Sequence, residues 1–240
     1  MRKSTSIAFA LFILAATNVE AQIFNDLKKK VEEKVTTTTS GLTEEEVGAG
    51  LKEALTNGVE KGVAQLSKPD GYFKDPTIKI PLPEEARNAE DKLRKIGQGK
   101  KVDDAIESIN RAAEDAASEA KDIFVTAIKS MTVTDAMGIL RGGDDAATRY
   151  LDKTTRSTLF EKFNPVIKVS LEKVGATKHW NTVFTTYNKL PMVTKVNPDL
   201  DAYATDKAID GLFVQIAKEE KEIRGNPAAR VTDLLKKVFE

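Results

Sequence analysis

A set of polar residues in the middle of the chain has side chains of the types that catalyse reactions or bind ligands. Its members are carboxylate, guanidinium, amide and hydroxyl side chains, namely Asn110, Arg111, Glu114, Arg141, Asp144, Thr148 and Arg149. Carboxylates exchange protons with substrates, and arginines bind anionic groups. An enzyme built on them would be a hydrolase or lyase that uses carboxylate and arginine residues only. It would require Arg111, Glu114, Asp144 and Arg149 to line one cleft.

The first part of this set lies on a predicted helix and has a simpler explanation. Arg111 has Glu107 four positions before it and Asp115 four positions after it. Charges at that spacing form ion pairs on a solvated helix face. Glu114 and Asp115 are neighbours, and neighbouring side chains on a helix point about 100° apart. They do not converge on one substrate atom, and the spacing favours an ion-pair ladder.

The second part surrounds Gly142 and Gly143. Backbone amides at the start of the following helix, with Arg141, Thr148 and Arg149 nearby, have the composition of an anion site. The glycine pair lacks the spacing and the lysine of a phosphate-binding loop. Asp144 stands where a side chain caps the helix, which favours a self-capped turn.

Other chemistries are excluded by composition. The chain has no cysteine, and His179 is its only histidine, so thiol catalysis and the usual zinc, haem and redox-metal ligand sets are excluded. Asn197, Asp199 and Asp201 alternate as in a calcium-binding loop, but Ala208 occupies the position of the bidentate glutamate. We expect no metal ion and no cofactor.

Charge restricts the partners. Lys and Arg number 37, Asp and Glu number 37, and the formal net charge is zero. A basic patch of the kind that binds nucleic acid is therefore not expected. The predicted partner is an unknown protein or small molecule, and the oligomeric state stays open.

The N-terminus predicts export. Arg2 and Lys3 precede an apolar run over residues 7–16, and residues 19–21 end in a signal-peptidase pattern, so residues 1–21 form a predicted signal peptide. That run is too short to span a bilayer, and no later stretch reaches about 18 apolar residues. No cysteine follows the cleavage site, so the protein is not a lipoprotein. We expect a periplasmic or secreted chain with no transmembrane segment after processing.

Residues 22–41 are predicted to form a short helix and a polar tether. Ile23, Phe24 and Leu27 give the helix an apolar side, and a threonine run with Ser40 and Gly41 follows. Contact with a membrane or a partner is one interpretation of this segment. Fraying near a terminus is the simpler interpretation.

Residues 42–240 are predicted to form a single all-α domain, an irregular multi-helix bundle with one ordered Pro-rich loop. Thr43 and Glu46 have the pattern of a capping box, which predicts a helix start. Prolines at positions 76, 81 and 83 allow at most a minor two-strand element in residues 68–83. We expect Tyr72, Phe73, Ile78 and Ile80 to attach this loop to the core.

A long central helix is predicted from Val102 to beyond Ile128. Two rows of apolar residues repeat every seven positions and form a packing seam; they are Val102, Ile109, Ala116 and Ile123, and Ile106, Ala113, Ala120 and Ala127. The second row is mostly alanine, so a partner helix can approach closely. The predicted partner is the helix that starts at Thr43, because it carries small residues at every fourth position, Gly50, Ala54, Gly58 and Gly62.

Later helices follow the same reasoning. Thr132 or Thr134 is expected to cap a short helix that ends at Gly142, and Pro165 is expected to stop or kink the next helix. Further helices are predicted over residues 178–187 and from Asn197, and a last one over residues 227–240.

The chain resembles a family of exported bacterial proteins known only as a domain of unknown function, number 4197. The blocks that carry the resemblance are residues 50–55, 68–83, 110–114, 124–140, 142–148, 187–191, 210–213, 219–224 and 227–239. The resemblance implies a single, mostly helical domain behind a signal peptide. It implies no reaction, cofactor or catalytic residue.

Taken together, these features predict a non-catalytic periplasmic helical binding or interaction domain. The enzyme defined above is one alternative. The other is a carrier that holds a small apolar ligand in a cavity between helices.

Overall fold

The computed structural model describes residues 42–95, 97, 99–173, 175, 177, 180, 195 and 199–226. Regular structure in this part of the chain is helical, without strands, so the all-α prediction is confirmed. The helices are α1 (Glu44–Leu66), α2 (Arg87–Lys95), α3 (Gly99–Ala117), α4 (Ala120–Ser130), α5 (Val133–Leu140), α6 (Ala146–Lys173) and α7 (Leu200–Gly225), with a 3-10 turn at Glu84–Ala86.

Several sequence predictions concern residues outside this description. They are the signal peptide, residues 22–41, His179, most of the helix predicted for residues 178–187, and the helix predicted for residues 227–240.

The helix starts follow the predicted capping chemistry. Thr43 Oγ1 accepts a hydrogen bond from the Glu46 amide at 3.2 Å, and Glu46 Oε2 accepts one from the Thr43 amide at 2.8 Å. Thr132 and Asp135 make the same reciprocal pair at the start of α5. Both boxes satisfy amides that the first turn of a helix leaves without partners.

The core lies where α6 packs against α3, α4 and α7, and α1 packs against α7, α4 and α5. Fully buried Phe124 of α4 meets Phe213 of α7 edge to face, with ring centroids 5.7 Å apart. Leu159 and Phe163 of α6 and Ile209 of α7 are also fully buried in this cluster. Burial of such side chains supplies the main driving force for folding.

The partner of the glycine-bearing face of α1 was predicted wrongly. That face packs on α7, not on the alanine-rich helix: a Cβ at Gly58 would lie 3.0 Å from Ile223 Cδ1, and one at Gly62 would lie 3.4 Å from Ile216 Cδ1. Helix α3 itself packs mainly on α6. The small residues of α1 allow close approach of the larger side chains of α7, and a pattern of small residues does not state which helix is the partner.

The predicted long central helix is interrupted. α3 ends at Ala117 and α4 begins at Ala120, with a turn at residues 118–119. The Ser118 hydroxyl donates to the Asp115 carbonyl at 3.2 Å, and the Glu119 amide bonds the Ala116 carbonyl three residues back. Such local bonds compete with the helical pattern and tighten it at this point.

Pro165 does not stop α6, which continues from Ala146 to Lys173. The proline side chain is exposed, whereas Phe163 and Ile167 on either side of it are fully buried. Burial of the flanking side chains offsets the hydrogen bond that proline cannot donate.

The Pro-rich loop of residues 68–83 is ordered and attached to the core, as predicted. Tyr72, Ile78 and Ile80 are buried, and Phe73 is half-buried. The Tyr72 hydroxyl donates to the Ala208 carbonyl of α7 at 2.8 Å. Burial, and then the nearby Glu114 carboxylate, raise the pKa of Tyr72 above its ordinary range.

No single helix in the described part of the chain is both long enough and apolar enough to cross a membrane. The helices α4 and α5 meet that criterion only as a pair, and they are bent by 104° relative to each other.

The contact between the loop and α7 depends on Gly211. A Cβ at this position would lie 2.6 Å from Tyr72 Cε1, so Gly211→Ala should lower the free energy of unfolding by about 1 to 3 kcal/mol. Gly138→Ala is the matched control, because Gly138 is also helical and has no atom within 4 Å of the added Cβ. It should raise stability by up to about 1 kcal/mol. Urea unfolding measures both, and equal effects would contradict this packing.

Candidate functional site

Asn110 holds the Pro-rich loop on α3. Its Oδ1 accepts from the Ile80 amide at 2.8 Å, and its Nδ2 donates to the Ile80 carbonyl at 2.8 Å and to the Ile106 carbonyl at 2.7 Å. The side chain is fully buried. A buried backbone segment needs partners for its amide and carbonyl groups, and one side-chain amide supplies both for Ile80.

Glu114 holds the beginning of the same loop. Its Oε1 accepts from the amides of Tyr72 and Phe73 at 3.0 and 3.1 Å, and its Oε2 accepts from Arg111 Nη1 at 2.8 Å. Glu114 is 4% exposed. A carboxylate at this depth requires a compensating charge and hydrogen bonds, and both are present.

Arg111 lies at the edge of this cluster. Its Nη2 bonds Asp70 Oδ1 at 2.8 Å and Glu107 Oε1 at 3.2 Å, and its guanidinium carbon lies 5.3 Å from the centre of the Phe73 ring. The hydrogen bond to Glu114, and then the one to Asp70, raise the pKa of Arg111 above its ordinary value. The predicted pair with Glu107 is present.

Asp115, the other expected partner of Arg111, bonds elsewhere. Its Oδ2 accepts from the Ser170 hydroxyl of α6 at 2.8 Å. Asp70 pairs with Arg111 from within the loop, and the pKa of Asp70 is lowered first by its hydrogen bond to Lys74 and then by the one to Arg111.

We refer to Asn110, Arg111 and Glu114 as the loop clamp. Asn110 and Glu114 are buried, and the Arg111 side chain is 36% exposed. None of the three folds back on the Gly142–Gly143 turn, because their bonds go to residues 70–80 and to α3 itself. Sequence reasoning identified these residues but not their partners, since the loop is some 30 to 40 positions away in sequence.

The second cluster is centred on Glu220, which the sequence reading did not select. Glu220 Oε1 accepts from the Ala147 amide at 3.0 Å, and Oε2 accepts from the Thr148 amide at 2.8 Å and from the Thr148 hydroxyl at 2.7 Å. Glu220 is 4% exposed. The amide site predicted to receive an anion therefore holds a carboxylate of the same chain.

Arg224 completes this cluster. Its Nε donates to Glu220 Oε1 at 3.0 Å, and its Nη2 donates to the Ile139 carbonyl at the end of α5 at 2.9 Å. The pair thus joins the end of α5 to the start of α6. A signal was present in the sequence: Glu220 lies between Ile216 and Ile223 on the apolar side of α7, where an unpaired charge is costly.

The expectation that Asp144 caps α6 is wrong. Asp144 is exposed, and the amides of Ala147 and Thr148 bond Glu220 instead. On the surface, Arg149 Nη1 lies 2.7 Å from Asp145 Oδ1. Arg141 Nη2 lies 3.6 Å from Glu44 Oε1 of α1.

The structure does not bring the two groups of candidate residues together. The loop clamp lies beside Asp115, which touches Ser170 near the end of α6, whereas Thr148 and Arg149 lie in the first turns of α6. The rise of an α-helix places Thr148 and Ser170 roughly 33 Å apart. Arg111, Glu114, Asp144 and Arg149 therefore do not line one cleft.

Open concave regions of about 400 and 520 Å³ beside α3 and the Pro-rich loop are lined mainly by charged and polar side chains, and the first of them includes Arg111 and Asp115. Two other concave features are lined more by apolar side chains. A small void of about 10 Å³ lies between α1, α6 and α7, beside Leu55, Ala147 and Ile223, and has room for about one water molecule. An open groove of about 500 Å³ lies between α4 and α6. Its lining is mainly apolar with hydroxyl groups, and consists of Asp122, Ile123, Thr126, Ala127, Ser130, Tyr150, Thr154, Thr155 and Thr158.

We call this feature the α4/α6 groove. Sequence reasoning placed Ile123 and Ala127 in a packing seam but did not identify a groove beside them. Both are only partly buried. Burial, and then the nearby Asp135 carboxylate, raise the pKa of Tyr150 on the opposite wall.

Within the described ranges, no three His, Asp or Glu side chains lie close enough together to hold a metal ion. The absence of a cofactor stays a prediction.

The loop clamp should be a major contributor to stability. Asn110→Ala leaves the buried amide and carbonyl of Ile80 without partners, so we expect the free energy of unfolding to fall by about 2 to 4 kcal/mol. Asn57→Ala, at an exposed position of α1, is the control and should change it by less than about 0.5 kcal/mol. Urea unfolding followed by circular dichroism compares them, and a harmless Asn110→Ala would refute the clamp.

Glu220→Gln tests the second cluster. The amide side chain removes the charge that Arg224 neutralises and replaces an acceptor with a donor, which should destabilise the fold by about 2 to 4 kcal/mol. Glu222→Gln removes a charge from an exposed position of the same helix and should have little effect. Thermal unfolding of the two variants should separate them, whereas coincident curves would show that Glu220 does not hold α6.

Comparison with known proteins gives a family but no activity. Residues 41–240 match the family described as "Protein of unknown function (DUF4197)". No curated protein and no solved structure matches the chain. The match covers most of the chain and includes both polar clusters and the α4/α6 groove. This chain belongs to the DUF4197 family of proteins of unknown function.

Proposed function

We propose that this protein is an exported, non-catalytic helical domain that acts by binding a partner. The N-terminal signal-peptide pattern supports export to the periplasm or the exterior, and the absence of cysteine supports a chain without a lipid anchor. The nearly balanced charge favours a partner other than nucleic acid.

One observation carries the non-catalytic part of the proposal. The buried carboxylates at the candidate sites, Glu114 and Glu220, each accept hydrogen bonds from two backbone amides and pair with one arginine. A general acid or base must reach a substrate and exchange a proton with it. A carboxylate that holds buried amides in this way is committed to the fold.

The alternative functions find less support in the geometry. An enzyme that uses Arg111, Glu114, Asp144 and Arg149 requires them in one cleft, and they lie near opposite ends of α6. A carrier of an apolar ligand requires an internal cavity of some hundreds of cubic ångströms. The void between α1, α6 and α7 holds about 10 Å³.

The α4/α6 groove is the surface best suited to contact. Ile123, Ala127 and the Tyr150 ring offer apolar area, and the hydroxyls of Thr126 and Thr154 offer hydrogen bonds at its sides. Protein interfaces commonly combine an apolar centre with a polar rim and are rich in tyrosine. We therefore assign the binding surface to this groove.

Site-specific photo-crosslinking in living cells tests the assignment. A benzophenone amino acid at Thr126, in the groove, should form a covalent adduct with a second molecule on irradiation. The same probe at Glu161, an exposed position of α6 outside the groove lining, is the control and should not form that adduct. The adduct should weaken when Ile123→Asp places a charge on the groove floor. Identical adduct patterns from the two positions would contradict the assignment.

A further inference from the structure

The α4/α6 groove lies at the end of the apolar packing seam of α3 and α4, where no helix of the described chain covers the seam completely. Most of the seam residues of α3 and of the start of α4 are fully or almost fully buried, namely Val102, Ile109, Ala113, Ala116 and Ala120, and Ile106 is partly buried. Its last members, Ile123 and Ala127, are only partly buried and lie on the groove floor. A seam of this kind is completed by a helix that lies along it.

The described chain begins close to this groove. Leu42 packs with Met137 and Leu140 at the end of α5. The groove residue Ser130 closes α4 just before the start of α5. Since α5 spans Val133–Leu140, these two points are separated by roughly the length of that helix, about 12 Å.

The chain preceding Leu42 is long enough to return to the groove. Residues 36–41 are threonines followed by Ser40 and Gly41. Extended, such a tether spans about 20 Å, which exceeds the distance to be covered. Whatever precedes residue 36 can therefore lie along the groove.

The segment before the tether has an apolar side that complements the mainly apolar groove. Phe24, Leu27 and Val31, with Ile23, recur at helical spacing and share one side, and Lys29 and Glu33 fall on the opposite side. Residues 23–31 as a helix are about 12 Å long. The groove walls, from Asp122 to Ser130 on α4 and from Tyr150 to Thr158 on α6, have the same length.

We propose that residues 23–31 dock as a helix in the α4/α6 groove, with Phe24 and Leu27 against Ile123 and Ala127. This inference rests on the proposed function, because it names the occupant of the same surface: the chain's own segment fills the groove until a partner displaces it. The segment thereby acts as an intramolecular competitor for the binding site.

The test uses the full-length chain, exported and purified, with the benzophenone probe at Thr126. Irradiation at low protein concentration should give an intramolecular crosslink to a peptide within residues 22–35, identified by mass spectrometry. Phe24→Asp combined with Leu27→Asp should lower the yield at least about tenfold, because docking buries both side chains and together they contribute at least about 1.4 kcal/mol. Lys29→Asp combined with Glu33→Lys, on the opposite side, should leave the yield unchanged.

The outcomes separate this inference from the proposed function. A crosslink whose yield rises with protein concentration would identify a second copy as the occupant and overturn the inference. A crosslink to any segment outside residues 22–35, or none, would overturn it as well. If the intramolecular crosslink forms but the Phe24→Asp, Leu27→Asp chain captures no second molecule in cells, the inference stands and the proposed partner-binding function fails.

Discussion

Buried carboxylates that bond to backbone amides are the interactions on which the rest of this structure depends. Glu220 of α7 holds the first turn of α6, and Glu114 of α3 holds the start of the Pro-rich loop. Each connects segments distant in sequence, and each is neutralised by an arginine on its own helix. Removing a carboxylate from water is costly, so the amides and the arginine must be in place together. This requirement fixes where the loop and α6 lie.

Local features of the fold could be predicted from the sequence, whereas long-range pairings could not. The capping boxes at Thr43 and Thr132 involve residues three positions apart, and their chemistry is visible in the sequence. The partner of the glycine face of α1 was mistaken, because α3 and α7 both present surfaces that accept close approach. The break at residues 118–119 was missed, because Ser118 and Glu119 do not differ in type from ordinary helical surface residues.

The candidate site shows the same division. The sequence marked Asn110, Arg111, Glu114 and Thr148 as candidates for a polar functional site, and in the structure their side chains make hydrogen bonds within the chain. Their partners, Ile80, Tyr72 and Glu220, lie 30 or more positions away. Sequence spacing carries no information on such contacts. A polar residue inside an apolar stripe, as Glu220 is in α7, was the available signal for the missing partner.

The central claim is that the hydrogen bonds of these two polar clusters hold the Pro-rich loop and the start of α6 in place. Amide hydrogen exchange tests this claim most directly. The amides of Ala147 and Thr148 belong to the first turn of a helix, where amides ordinarily lack partners and exchange quickly. The structure predicts that they, with Tyr72, Phe73 and Ile80, exchange only through global unfolding and as slowly as the core of α6. Exchange at these amides as fast as at the exposed Asp144 would contradict the account.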